Sequence, residues 1–227
     1  MNKDEKIAIA VCDSGKVEGS HSAGIHFAIM NKDINHHFKD FIRSKGIKIA
    51  TQRQEIFDVW MSQDFDHTDW LLWIDSDISP SAEDINNIIS FADKNKVPVL
   101  SGLYFTLINN IPVPCSFINN ELGRDYSEIS IENIMSRSLI SVDAVGFGML
   151  LMHRSVGAKL IESFGYKHFF LEKQDINDHS SFTGEDFMFC QHLQEVGIPI
   201  HAHTGIIPKH IKSIAVDEKL YYLYNKV

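Results

Sequence analysis

Two aspartates separated by one residue, Asp75-Ser76-Asp77, follow directly on the apolar run Trp70–Ile74. Side chains at i and i+2 of an extended backbone point to the same side, so both carboxylates are expected to meet one cation. Such a cation would be hard. Mg²⁺ and Mn²⁺ prefer oxygen ligands, and Mg²⁺ typically keeps one or two carboxylates while water and substrate phosphates fill its other positions. The triplet therefore suggests a metal shared with a phosphate ligand, outside the carboxyl end of a central strand, where α/β sheets place their ligands. Asp and Ser are also common turn residues, and a three-residue motif has a high false-positive rate, so the triplet alone fits a strand-ending turn equally well. Its neighbours must decide.

The elements around the triplet alternate between apolar runs and helical patterns, as in strands wrapped by helices. Ile7–Cys12 reads as the first strand, ending in a turn at Asp13-Ser14-Gly15 and a loop at Gly19-Ser20-His21-Ser22. Ile47–Ala50 is expected to be a short second strand, followed by a helix over 52–62 with Arg53 at its beginning. Trp70–Ile74 is continuously apolar, as a strand covered on both faces should be. After the triplet, Ser79 can cap a helix with Pro80 at its first position and Glu83 and Asp84 in its first turn. Strands are expected over 97–104 and 113–118, a polar irregular stretch over 119–137, and a strand over 141–153 interrupted by Gly146 and Gly148. A helix over 155–164 and a loop over 180–184 follow, then a helix that opens on Glu185-Asp186 and closes at Gly197, a strand over 198–202 and a loop over 204–210. Trp60, Trp70 and Trp73 sit in apolar settings and read as core.

The chain has 227 residues, 44% of them hydrophobic and 11% aromatic, enough to bury one large core, so a single α/β domain over residues 1–227 is expected. A formal charge of −9 with dispersed acids argues against a protein devoted to holding a polyanion. Cys12, Cys115 and Cys190 lie far apart without CxxC spacing, which indicates neither a zinc ribbon nor a disulfide framework and suits a reducing cytosol. The polar start, Met1–Lys6, has no signal-type apolar segment, and no stretch approaches the roughly 20 apolar residues of a membrane span. The expected setting is cytoplasmic.

Taken in order, Ile47–Arg53 ahead of a helix, Trp73–Ile78, Ser101–Tyr104, Ala144–Gly148, Gly184-Glu185-Asp186 and finally His210 resemble the GT-A glycosyltransferases, especially the small family-2-like enzymes of bacteria and large viruses. The similarity extends over nearly the whole chain. It implies a Rossmann-like GT-A fold with a mixed central sheet flanked by helices. It also implies a nucleotide-sugar donor, with UDP favoured, whose diphosphate and ribose meet the DxD motif Asp75-Ser76-Asp77. His210 matches a late histidine that often completes the metal site, which favours Mn²⁺ over Mg²⁺, and His201 and His203 are the fallback ligands. Asp13 and Arg53 match contacts to the nucleotide, although Arg53 could instead pair with Glu55 or Asp58 on the helix surface. Gly146, Phe147 and Gly148 match the acceptor side, where missing side chains would admit a sugar, a bulge for packing being the alternative. Glu185-Asp186 matches the pair that supplies the general base of inverting enzymes, with Asp186 in that role. Both acids would also suit a helix start. One departure is Cys12-Asp13-Ser14-Gly15, where many relatives have a proline-containing loop.

The implied reaction is metal-dependent transfer of a sugar to an acceptor hydroxyl, with inversion if Asp186 is the base. A retaining enzyme would keep the metal site without that base. The acceptor is a glycan or another hydroxyl compound, a modified DNA base being less favoured. Two further readings remain at this level. Asp75 could be the nucleophile of a haloacid-dehalogenase-type phosphohydrolase, against which stand about 70 residues of preceding α/β pattern and a late histidine without a role. The chain could also be a sugar- or nucleotide-binding protein without catalysis, against which stands the presence of both acidic pairs.

Overall fold

A computed structural model describes residues 1–13, 15, 17–109, 111–119, 126–174 and 182–213. Ser14 of the expected first turn, and Ser180 and Ser181 of the expected loop before Glu185, lie outside the described residues. Seven strands form the central sheet: β1 (Ile7–Asp13), β2 (Phe38–Lys45), β3 (Trp70–Ile74), β4 (Val99–Gly102), β5 (Leu139–Val142), β6 (Met149–His153) and β7 (Ile200–His203). Their order across the sheet is β5-β7-β4-β6-β3-β1-β2. β1, β2, β3, β4 and β7 share one direction, and β5 and β6 run against it. The start of β6 therefore lies at the same edge as the carboxyl ends of β1, β3, β4 and β7.

Helices cover both faces: α1 (Gly19–Met30), α2 (Ile49–Met61), α3 (Ala82–Phe91), α4 (Ile131–Met135), α5 (Arg154–Phe164) and α6 (Glu185–Glu195). The period of two along each strand divides the core. Ala8, Ala10, Cys12, Leu71, Trp73, Leu150 and Met152 pack with Phe57 and Trp60 of α2, Leu160 of α5 and Phe189 of α6. The alternate residues Ile7, Ile9, Val11, Trp70, Leu72, Ile74 and Leu151 pack with Ile25 of α1 and Ile85 and Ile88 of α3. All five side chains of β3 are out of solvent, at about 1.5–3 kcal/mol each for complete burial of a large apolar group. That is why β3 reads as a continuous apolar run. The three cysteines are buried and free.

Several boundaries differ from the sequence reading. The second strand is Phe38–Lys45, and Ile47 is fully exposed in the turn before α2. As the sheet's edge, β2 buries only Ile42 and Ser44 well, so its sequence lacks the apolar run that marks β3. Gly19–Ser22 is not a loop but the first turn of α1, whose Gly24 packs so close to Pro80 that a Cβ there would lie 1.9 Å from the Pro80 carbonyl oxygen. The cap of α3 is Ser81, not Ser79: its Oγ accepts from Asp84 N–H at 3.0 Å, and Asp84 Oδ2 accepts from Ser81 N–H at 2.8 Å. The polar stretch after Asn119 carries a short strand, Tyr126–Glu128, and the short helix α4.

Candidate active site at the carboxyl ends of the strands

Asp75, Ser76 and Asp77 form a turn, closed by Ile78 N–H donating to the Asp75 carbonyl at 2.9 Å. The extended geometry expected for the triplet is therefore absent, because the chain reverses at once into a two-residue pairing of Ile78–Ser79 with Lys209–His210. The two carboxylates have different partners. Asp77 Oδ2 meets His210 Nε2 at 3.1 Å and Lys212 Nζ at 2.7 Å, whereas Asp75 Oδ2 accepts from Arg53 Nη2 at 3.0 Å. Ser76 is buried, and its carbonyl accepts from Glu18 N–H at 3.1 Å, which joins the turn to the start of α1.

The segment that carries His210 is fixed from three sides. Leu103 N–H donates to the Ile206 carbonyl at 2.8 Å, Ile207 N–H to Asp84 Oδ1 at 3.1 Å, and Ile211 N–H to the Asp77 carbonyl at 2.8 Å. His210 Nδ1 lies 3.0 Å from the Phe105 carbonyl, which can only accept, so Nδ1 carries a hydrogen. In the neutral ring Nε2 then presents a lone pair to Asp77 Oδ2, a second acceptor. Two acceptors facing each other need a cation between them, either a second ring proton or a metal. Lys212 supplies one positive charge to the pair. Burial pushes the Asp77 carboxyl up, but the hydrogen bonds of His210 and Lys212 outweigh it and hold the group well below the usual carboxylate range. Among the described residues no three His, Cys, Asp or Glu side chains converge as a metal cage. The pair fits a cation that takes its remaining ligands from a diphosphate, in the manner of Mg²⁺ sites. His201 and His203 lie on β7; His203 is buried against Phe91 and accepts from Gly205 N–H at 3.1 Å.

Arg53 projects from α2 on the same face as Phe57 and Trp60, into the core, and is 3% exposed. Its Nε donates to Glu185 Oε1 at 3.0 Å, and its guanidinium lies 5.2 Å from the Phe147 ring centre and 5.8 Å from that of Trp73. Burial alone would lower its pKa, but the nearby Asp75 charge, with Glu185, raises it well above the ordinary value. Arg53 Nη1 and Asp75 Oδ1 are buried without a hydrogen-bond partner among the described protein atoms. Arg53 does not pair with Glu55, which accepts from Ser44 Oγ at 2.5 Å, nor with Asp58, which accepts from Gln54 Nε2 at 2.7 Å. Asp13 is likewise committed: it accepts from Arg43 and, at 2.7 Å, from Gly15 N–H, and the Arg43 hydrogen bond holds its carboxyl below the usual range.

Glu185 and Asp186 open α6 behind Gly184, where acidic side chains complement the helix dipole. Glu185 is buried against Arg53; Asp186 accepts from the Phe187 N–H at 2.8 Å. Burial, with the Glu185 charge beside it, raises the Asp186 carboxyl to about 6 despite the opposing pull of Arg53. Gly146, Phe147 and Gly148 are all buried. A Cβ on Gly146 would lie 2.0 Å from Tyr104 Oη, and one on Gly148 2.7 Å from Tyr104 Cζ, so Tyr104 fills the space that the glycines leave. Its hydroxyl accepts from Gly148 N–H at 3.2 Å. Burial raises Tyr104 well above its ordinary pKa, and the neighbouring Cys115, Asp186 and Asp75 add to the effect. In the sequence Tyr104 belongs to the run Ser101–Tyr104 without a role of its own, and Lys212 is not among the candidates. Lys212 stands two residues after His210, and that alternation in an extended segment is the signal that was there to read.

No family model and no curated protein matches the chain by sequence. Among solved structures, it is similar to A197 from STIV, with a TM-score of 0.56 and 15% identity over 92% of this chain and 86% of that one. It is also similar to GalNAc-T7, crystallised with UDP, GalNAc and Mn²⁺, with a TM-score of 0.58 and 9% identity over 92% of this chain and 44% of that one. A glycosyltransferase involved in the glycosylation of the major capsid of PBCV-1 superposes more loosely, with a TM-score of 0.48. At these identities the likeness is one of fold. The chain has the GT-A fold of glycosyltransferases, a mixed sheet flanked by helices. Among the described residues no helix is long and apolar enough to cross a membrane.

Proposed function

We propose that the chain is a glycosyltransferase that moves a sugar from a nucleotide-sugar donor to an acceptor hydroxyl with inversion. The observation that carries this reading is the meeting, at one edge of a GT-A sheet, of the Asp77–His210 pair and of Asp186 with its pKa raised to about 6. Asp77 and His210 would hold Mn²⁺ or Mg²⁺, with Asp75 beside them in the same turn. The metal, when bound, would act as a Lewis acid on the diphosphate that departs. Lys212, on the rim of that pair, adds positive charge where the phosphates lie.

Asp186 takes the acceptor's hydroxyl proton as the acceptor oxygen bonds the anomeric carbon and the bond from that carbon to the diphosphate oxygen breaks. A carboxylate with a pKa near 6 is a stronger base than an ordinary one and is still ionised at neutral pH. UDP is the favoured nucleotide, a choice supported by the UDP in the GalNAc-T7 crystals. A phosphohydrolase with Asp75 as nucleophile is disfavoured, because one of its oxygens is bonded to Arg53 and the other is out of solvent.

The test is a calorimetric and thermal-shift panel of nucleoside diphosphates and sugar nucleotides, with and without Mn²⁺. Stabilisation by UDP that depends on Mn²⁺ is expected, and at a ligand concentration 100-fold above Kd it amounts to about 2.7 kcal/mol. Turnover of an aryl phosphate with no binding of any nucleoside diphosphate would sink the proposal.

A further inference from the structure

We propose that Arg53 is an interior tie that holds the first acid of each acidic pair, Asp75 and Glu185, and does not touch the donor. Its guanidinium spans two segments that the chain brings together from far apart: the Asp75 contact joins residues 22 positions apart, and the Glu185 contact joins residues 132 apart. Both bonds are 3.0 Å, and they use different nitrogens of the planar fork, so the two carboxylates are held at a separation set by the guanidinium itself. The faces of Phe147 and Trp73 lie 5.2 and 5.8 Å from it and close off its sides. At 3% exposure the side chain is out of solvent, and two of its three guanidinium nitrogens are taken by the two carboxylates.

The tie divides labour within the two pairs. Asp75 and Glu185 are engaged by Arg53, whereas Asp77 meets His210 and Lys212 and Asp186 is bonded to the backbone of its own helix. The turn after β3 and the first turn of α6 have no sequence continuity, so without Arg53 the distance between the donor's metal ligand and the base would depend on looser packing. Arg53 is thus a positioning residue. Its catalytic consequence rests on the glycosyltransferase reading, but its structural role does not.

The experiment compares the full chain with Arg53→Lys, Glu185→Gln and the double variant. A lysine ammonium cannot bridge both carboxylates as a fork does. For Arg53→Lys, the Kd of UDP with Mn²⁺ by calorimetry and the donor KM are expected to stay within about threefold of wild type while kcat falls about 100-fold. A Kd weakened tenfold or more with kcat preserved would mean that Arg53 binds the nucleotide, and the tie would be overturned. So would a kcat within twofold of wild type. Thermal unfolding gives a readout independent of activity. Each single variant is expected to lower the midpoint by several degrees, about 10 °C for Arg53→Lys, and the double variant to be no less stable than the worse single. Simple addition of the two shifts would overturn the tie. If the wild-type chain binds no nucleoside diphosphate, the glycosyltransferase reading falls, and this cycle still decides whether Arg53 joins the two acids.

Discussion

Asp186 carries a testable signature at the scale of one residue. A general base works only when unprotonated, so a carboxyl raised to about 6 makes kcat/KM for transfer fall about tenfold per pH unit below that value and level off above it. A profile flat between pH 5 and 7 would exclude Asp186 as the base. Asp186→Asn is expected to lower kcat by about 100- to 10,000-fold with the affinity for UDP and Mn²⁺ unchanged, as measured by calorimetry. Asp77→Asn should do the reverse. It removes the acceptor charge shared by His210 and Lys212 and is expected to abolish the Mn²⁺-dependent part of the thermal shift. The identities of these acids were legible in the sequence, and the resemblance set His210 beside the triplet, but the contacts to Arg53 and Lys212 were not legible. Nothing in the local pattern shows that Asp75 turns inward to Arg53 and Asp77 outward to His210, because a turn replaces the extended backbone on which the joint orientation depended.

At the scale of the element, capping and close packing position the site. Ser81 caps α3, and the Asp84 that completes the box also anchors the His210 segment through Ile207 N–H. Ser81→Ala is expected to cost about 1 kcal/mol in chemical denaturation. Asp84→Ala should cost more and also weaken metal-dependent nucleotide binding, since it frees the segment that presents His210. The sequence marked this helix start two residues early. Ser79 and Ser81 are both plausible caps by type, and the choice was made by the pairing of Ile78–Ser79 with Lys209–His210, which draws Ser79 into a strand. Gly24 is a second local constraint. Gly24→Ala puts a Cβ onto the Pro80 carbonyl and is expected to destabilise by about 1–3 kcal/mol, as overpacking does. An unchanged urea midpoint would show that α1 can move away freely.

For the whole molecule, β3 and β6 join the half of the sheet built from residues 7–74 to the half built from 99–203. We infer that the two halves unfold together, as a single domain. Trp60, Trp70 and Trp73 are all fully buried at this junction or in α2 against it. Tryptophan fluorescence and far-ultraviolet circular dichroism are therefore expected to give superimposable urea transitions. Two separated transitions would divide the chain into independent halves.

The amino-acid sequence by itself determined the class of fold and the chemistry on offer. Continuous apolar strands such as β3, alternating with helical patterns, are written in neighbouring residues, because burial on both faces demands them locally. Edge strand β2 escaped because its burial is partial and its residues largely polar, and helix α1 because its apolar residues do not gather on one face, Phe27 and Met30 being exposed. Only the tertiary structure decided which side chain each acid meets. These contacts join residues 22, 132 and 133 positions apart, and they depend on sheet order and register, which no local pattern encodes. Tyr104 filling the space beside Gly146 and Gly148 is a decision of the same kind, since a glycine shows that something comes close without saying what.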